Sequence, residues 1–232
     1  MVFKAFLAVA LATASSGAMA QGFTGGSLGI EYNSPTDGSD FGGTTYSGGA
    51  EFAVTRDISL GFTAADYKFD NSDTDGSNLT LHGAYHLNDL ATVGLFVAQD
   101  RVDGENSTIY GLEAGSEFTS GTVNGYFGRD TDSSSNLFGV GGTYDIQPAI
   151  GVQGAFDVLS GGDTDVSQIT LGGTYRLASG PEFFAQVGNV NADSTQGSDN
   201  QSFIGLGARI TFGAERGTTF GQRSIFEAIP GF

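Results

Sequence analysis

The sequence contains no cysteine and no tryptophan, only 4 prolines, and only 9 basic residues in 232 positions. Without cysteine the chain has no disulfide framework, no cysteine-bound zinc and no thiol nucleophile, although the zero count by itself assigns no redox compartment. The 9 basic residues stand against 26 acidic ones, which gives a net charge of −17 at pH 7. This balance argues against binding to nucleic-acid phosphates and favours a cationic partner or permeant.

The sequence also lacks an apolar run of about 20 residues, the length that a membrane-spanning helix needs. The run from Ala5 to Ala14 is too short, but it follows Lys4 and precedes Ala18-Met19-Ala20. That order predicts a signal peptide over residues 1–20, cleaved between Ala20 and Gln21, and an N-terminal anchor is the less favoured alternative. Insertion of the mature chain into a membrane would therefore have to occur through strands.

Glycine and aromatic residues are abundant: the chain has 38 Gly, 19 Phe and 8 Tyr. Disordered glycine-rich chains are poor in aromatic residues, so this mixture indicates an ordered structure. The length suits one large all-β domain.

The clearest pattern is an alternation of apolar and polar residues over segments of about ten residues, the length of a transmembrane strand. In residues 167–177, Ile169 and Leu171 fall on one face, and Gln168 and Thr170 on the other. Similar segments predict twelve strands, near residues 23–33, 44–55, 58–69, 78–87, 90–100, 107–118, 121–129, 136–146, 149–159, 167–177, 181–191 and 202–213. The segment at 58–69 changes phase between Phe62 and Tyr67, which suggests a β-bulge.

The connections alternate between short turns, such as Arg56-Asp57, and longer polar loops, such as 131–135 and Asp193 to Gln201. Short turns on one side and long loops on the other are typical of a transmembrane barrel. An aromatic residue precedes each short turn, and another ends the last strand: Phe52, Tyr85, Phe118, Tyr144, Tyr175 and Phe212. This repeat fits a periplasmic girdle, although hairpins of any β-protein also end in aromatics. An even number of strands lets the first pair with the last, which leaves no edge in lipid.

The signal peptide, the glycine-rich alternating strands, the Asp/Ser/Gly loops and the terminal Phe232 resemble Gram-negative porins and porin-like outer-membrane proteins. The resemblance covers residues 21–213. It implies an all-β, closed antiparallel transmembrane β-barrel, in contact with outer-membrane lipid, recognised by the outer-membrane assembly machinery and often trimeric. The tail, residues 214–232, departs from the family because porins usually end on the last strand. It is either a periplasmic or plugging segment or a sign that the last strand is misplaced.

No constellation of catalytic or cofactor-binding residues is predicted. His82 and His86 share one face of a strand, but four residues place them roughly 13 Å apart, too far to share one metal ion. The position two after His82 is Ala84, so a lipase-like serine is missing there. Asn71-x-Asp73-x-Asp75-Gly76 matches the first half of a calcium loop, yet position twelve is His82 and not Glu, so a solvated acidic loop is favoured.

The alternation predicts that a polar set lines the lumen: Glu31, Glu51, Glu113, Glu117, Asp145, Gln153, Asp157, Gln168, Arg176 and Arg209. Acidic residues also concentrate in the loops, where they would either attract cations or only maintain solubility. The predicted function is a passive channel for small hydrophilic solutes or ions, favouring cations and using no cofactor. The alternatives are a non-conducting barrel with a structural or adhesive role, and a secreted soluble β-sandwich or β-solenoid.

Overall fold

The computed structural model describes residues 22–38, 42–70, 74–161, 164–195, 197–213 and 219–227. The predicted signal peptide lies outside these residues. Twelve strands and one 3-10 turn make up the fold: β1 Phe23–Pro35, β2 Gly43–Ala53, β3 Ile58–Phe69, β4 Asp75–His86, β5 Ala91–Val102, β6 Glu105–Phe118, β7 Gly121–Asp130, β8 Asn136–Gln147, β9 Ile150–Ser160, β10 Thr164–Arg176, β11 Glu182–Ser194, β12 Gly197–Gly213, and the turn Ile225–Glu227.

The strands form one closed antiparallel barrel in which each strand pairs with its neighbours in the sequence. Closure is made by β1 and β12, which pair from Gly25 opposite Gly213 to Pro35 opposite Phe203. The prediction of a closed barrel of twelve strands is confirmed, and the soluble sandwich and solenoid are excluded. No helix in the described part of the chain is long and apolar enough to cross a membrane.

The outer surface of the barrel is apolar. Leu95, Leu171 and Val187 are 61%, 65% and 58% exposed on it, because the alternation turns one residue in two away from the lumen. The aromatic residues before the short turns share this face, and Tyr85, Tyr144 and Tyr175 are each about half exposed. A contiguous apolar surface of this extent requires a lipid environment.

Two local predictions were wrong. The strand β3 pairs with β2 and β4 without a register shift, so it has no bulge, and the irregularities lie instead between Phe23 and Gly25 and between Asp145 and Gln147. The phase changes because Tyr67 is an apolar residue facing inwards, where it is 4% exposed.

The second correction concerns the loop predicted from Asp193 to Gln201. Most of it belongs to a hairpin, because β11 continues to Ser194 and β12 already begins at Gly197. Both faces of this extension are open to solvent, so it carries polar residues throughout and lacks the apolar positions that the prediction depended on.

The lipid-facing surface leads to a stability prediction. Leu171→Arg, in the middle of β10, should lower the free energy of unfolding in lipid vesicles by about 2–4 kcal/mol, because it places a charge in hydrocarbon. Thr170→Arg, one residue away and facing the lumen, is the matched control and should cost less. Equal losses in denaturant titrations would contradict the assignment of the two faces.

Candidate permeation site inside the barrel

The lumen contains part of the chain's own C-terminal tail. The strand β12 ends at Gly213, and residues 219–227, here called the lumenal segment, lie against inward-facing side chains of β3 to β7. Phe220, Arg223, Ser224 and Phe226 of this segment are each less than 10% exposed. Residues 219–227 therefore fill part of the lumen.

Arg223 is the charged anchor of the lumenal segment. Its Nε donates to Glu113 Oε2 at 3.0 Å, and the guanidinium lies 4.4 Å from the centre of the Tyr126 ring. The other oxygen of Glu113 lies 2.8 Å from His82 Nδ1. Both Arg223 and Glu113 are buried, and a buried charge that loses its partner is strongly destabilising. The position of Arg223 is therefore tightly determined by Glu113 of β6.

Polar wall residues satisfy the backbone that follows Arg223. Asp100 accepts hydrogen bonds from Ser224 Oγ at 2.7 Å and from the Ile225 amide at 2.8 Å. Asn78 Nδ2 donates to the Arg223 carbonyl at 2.9 Å, and the Arg223 amide donates to Thr80 Oγ1 at 3.1 Å. Since buried backbone groups need partners, these contacts show that β4 and β5 form a specific receptor for the segment.

Phe226 provides the apolar contact at the other end of the segment. Its ring centre lies 4.7 Å from that of Tyr67 and 5.9 Å from that of Phe69, both on β3. Ala65, Tyr67 and Phe226 form a buried cluster on which Ile225 also packs. The inward aromatics of β3 thus cover Phe226, which is the physical reason for the change of phase in that strand.

The opposite wall carries a hydrogen-bonded belt that begins at Glu182 of β11. One oxygen of this carboxylate accepts from Arg209 Nε at 2.6 Å, and the other accepts from Arg176 Nη2 at 2.9 Å. Arg209 Nη2 also donates to Gln153 Oε1 at 3.1 Å. Two arginines and one carboxylate are therefore brought together on the wall.

Amide side chains continue the belt from Gln153 to Glu31. Gln153 Nε2 donates to Gln186 Oε1 at 3.0 Å, and Gln186 Nε2 donates to Glu31 Oε1 at 2.8 Å. The belt crosses from β9 to β1 through β11 and β12, on the half of the barrel that the lumenal segment leaves free. It forms a polar wall facing that segment.

A cavity of about 360 Å³ separates this wall from the lumenal segment. Three carboxyl groups line it: Glu31 of β1, Asp157 of β9 and Glu227 of the segment. Asp157 accepts from the Tyr126 hydroxyl at 2.7 Å, and Glu227 accepts from Gln222 Nε2 at 2.8 Å. Among the described residues none of these three carboxyls forms an ion pair, so their hydrogen bonds come from neutral groups.

A glycine on β8 makes the contact between Tyr126 and Asp157 feasible. Gly139 faces inwards between them, and a Cβ atom there would meet both the Tyr126 ring and the Asp157 carboxylate. The absence of a side chain lets β7 and β9 exchange a hydrogen bond across β8.

The residues predicted to line the lumen do not form one site. Glu31, Gln153, Asp157, Gln168 and Arg209 surround the cavity. Glu113 instead anchors the lumenal segment, and Glu51 accepts from Thr24 Oγ1 at 2.8 Å beside a separate, smaller cavity. The remaining three lie near the short turns: Glu117 is exposed, and Asp145 lies 3.9 Å from Arg176.

Several residues that shape the lumen were not predicted from the sequence. Asp100 ends a segment whose face the alternation did not define, and Glu182 follows a proline at the start of β11. Arg223 and Glu227 belong to a tail without strand periodicity, so no local signal indicated where they would lie.

The two histidines make separate sets of contacts. His82 contacts Glu113 and Thr63, whereas His86 contacts Ser59 and Thr92. Within the described ranges, no group of three or more His, Cys, Asp or Glu is arranged to hold a metal ion. Residues 71–73 of the candidate calcium loop lie outside those ranges, and Asp75 is paired with Lys68.

A closed barrel with an apolar exterior and a polar, partly filled lumen defines the class of transmembrane β-barrel channels. A sequence profile of the Gram-negative porin family matches residues 30–195, and the chain therefore belongs to that family. It is an outer-membrane protein of a family of channels rather than enzymes. A search of curated proteins found no match.

Solved structures agree with this fold at low sequence identity. The KdgM porin is 11% identical, with a TM-score of 0.60 over 80% of this chain and 99% of that chain. A second KdgM structure, in complex with disordered oligogalacturonate, is 12% identical, with a TM-score of 0.58 over 80% and 99%. The NanC porin is 9% identical, with a TM-score of 0.57 over 80% and 98%. At these identities the similarity concerns the fold alone.

The buried anchor leads to a prediction about the lumenal segment. Arg223→Gln leaves the Glu113 carboxylate without its cation, at a cost of about 3–5 kcal/mol. The segment should leave its receptor, and the single-channel conductance should rise. Arg129→Gln, on the outer face of β7, removes an equal charge without touching the segment and should have no effect. A folded Arg223→Gln barrel with unchanged conductance would contradict this assignment.

Glu227 gives a prediction about pH. Burial, and then the negative charges of Asp157 and Glu31, raise the pKa of the Glu227 carboxyl from 4.5 to about 8, against the opposing effects of Gln222 and Arg223. Because this pKa is raised in the folded state, the carboxyl stabilises docking fully below about pH 4.5 and loses this effect as the pH rises through about 8.

Hydrogen exchange of the lumenal segment should therefore become faster between pH 6 and pH 9, after correction for the intrinsic pH dependence of exchange. Glu227→Gln should remove this extra acceleration, and Glu51→Gln, a carboxyl elsewhere in the lumen, should keep it. The same acceleration in both variants would show that another group is responsible.

Proposed function

We propose that this porin is a passive channel for small hydrophilic solutes and ions, with a preference for cations. The observation that carries the proposal is the cavity between the lumenal segment and the β9–β1 wall. Its lining is polar, and its three carboxyls have no ion-pair partner among the described residues. Fixed charge of one sign in a narrow, low-dielectric passage concentrates counter-ions and repels ions of like charge.

The arginines beside the cavity do not oppose this preference. Arg223 is paired with Glu113. Arg209 shares Glu182 with Arg176, and Arg176 also lies 3.9 Å from Asp145, so these two arginines are balanced by two carboxylates. The unbalanced charge of the lining comes from Glu31 and Asp157, and Glu227 adds to it only above its pKa of about 8. A polyanion such as the oligogalacturonate bound by the KdgM porin would meet like charges here. We therefore propose a different solute preference for this chain.

One observation favours a second function. The lumenal segment occupies one side of the barrel through specific contacts, which suits a barrel that does not conduct and acts through its surface loops. In that case the segment would mainly stabilise the barrel. Conductance separates the two functions, because the first requires a continuous aqueous path past the segment.

Membership of the family supports contact with outer-membrane lipid and a role in solute transport. Recognition by the assembly machinery and a homotrimeric state remain predictions from the resemblance. Cross-linking in native membranes measures the oligomeric state directly. Cross-linked samples that contain only the monomer would exclude the trimer.

Ion selectivity tests the proposed function. In a planar bilayer with a tenfold KCl gradient, the reversal potential should lie towards the cation limit of about 59 mV. The double variant Glu31→Gln/Asp157→Asn should move it towards zero, because it removes two of the three carboxyls. Glu51→Gln removes one lumenal carboxyl away from the cavity and is the control. A folded, silent barrel would contradict the channel function, and an anion-favouring potential would contradict the selectivity.

A further inference from the structure

Two buried amide oxygens in the cavity have no hydrogen-bond partner among the described residues. Asn33 Oδ1 and Gln168 Oε1 make no hydrogen bond, although their residues are only 4% and 7% exposed and both line the cavity. An unsatisfied buried acceptor costs about 1–3 kcal/mol, so such atoms normally meet water or a ligand. Because the two oxygens lie on β1 and β10 at the cavity, they indicate that the cavity holds water or a ligand.

The carboxyls and these acceptors together define the chemistry of the cavity. Glu31 and Asp157 supply negative charge, and Asn33 and Gln168 supply free oxygen acceptors. Among the described residues, the unpartnered donors of the lining are the Tyr67 hydroxyl and Arg223 Nη2, and the positive charge of Arg223 is balanced by Glu113. A ligand that complements this lining carries positive charge and several N–H donors.

The spacing of these groups favours an extended cation over a compact one. The carboxyls come from β1, β9 and the lumenal segment, on different sides of the cavity, and they do not form a metal-binding cluster within the described residues. Separate carboxylates are better matched by a ligand whose charges stand apart on a flexible chain. The cavity of about 360 Å³ has room for a short chain of this kind.

We infer that the cavity is a binding site for a short aliphatic diammonium ion, held by the carboxylates of Glu31 and Asp157 and by the free oxygens of Asn33 and Gln168. The inference rests on the proposed channel function and specifies its solute class. A bound ligand would close part of the passage, so binding is visible as an interruption of the ionic current.

The test uses the full chain, refolded and inserted into a planar bilayer in KCl at pH 7, with 1,4-diaminobutane added on one side. Two analogues separate charge from hydrogen bonding. The neutral 1,4-butanediol has the same carbon chain, and the bis-trimethylammonium analogue of the diamine keeps both charges without N–H donors. The diamine should produce discrete current interruptions, the bis-quaternary ion weaker ones, and the diol none.

Variants assign the effect to the cavity. Glu31→Gln and Asp157→Asn should each raise the apparent Kd of the diamine by about tenfold, the effect of losing a charge-assisted hydrogen bond. Gln168→Leu should weaken binding of the diamine but not of the bis-quaternary ion, because it removes an acceptor and no charge. Glu51→Gln, outside the cavity, should bind the diamine like the unmodified chain.

The outcomes separate the site from the channel. A conducting barrel that the diamine does not block, or blocks equally in Glu31→Gln, overturns the site and leaves the channel function standing. A folded barrel that does not conduct overturns the channel function, and calorimetric titration of the barrel in detergent with the same diamine then decides the site. Heat of binding that Glu31→Gln reduces supports it, and no heat overturns it.

Discussion

The structure depends on one constraint, that a backbone inside a hydrocarbon layer must satisfy its hydrogen bonds within the chain. A closed sheet meets it only if the first strand reaches the last, and here β1 and β12 pair over eleven positions, from Gly25–Gly213 to Pro35–Phe203. Closure in turn forces the alternation, because each strand then has one face in lipid and one in the lumen. The apolar exterior and the polar interior both follow from this single requirement.

The interior is organised by charge more than by apolar packing. On one side, Arg223 is matched to Glu113, and Asp100 accepts hydrogen bonds from the backbone and Ser224 of the lumenal segment. On the other side, Glu182 takes up Arg176 and Arg209. These pairings use the few basic residues inside the barrel and leave the carboxyls of the cavity uncompensated. The electrostatic character of the passage is therefore determined by the carboxyl groups that do not pair with an arginine.

The barrel was predictable from the sequence because its signal is local. Ile169 and Leu171 face lipid for reasons that a window of ten residues contains, and the same holds for most of the other strands. The alternation also placed Glu31, Gln153 and Asp157 inside. It failed where a long-range partner decides the outcome. Tyr67 departs from the pattern only because Phe226 packs on it, and Arg223 finds Glu113 across 110 positions of sequence.

The position of the lumenal segment in the chain has a kinetic meaning. Only the five positions 214–218 separate it from the end of β12, so the segment behaves as a ligand tethered beside its receptor. Short tethers hold a ligand at an effective concentration in the millimolar range. After each release, rebinding is a first-order event that no dilution of the protein can slow. A free peptide of the same sequence would have to exceed that concentration to compete.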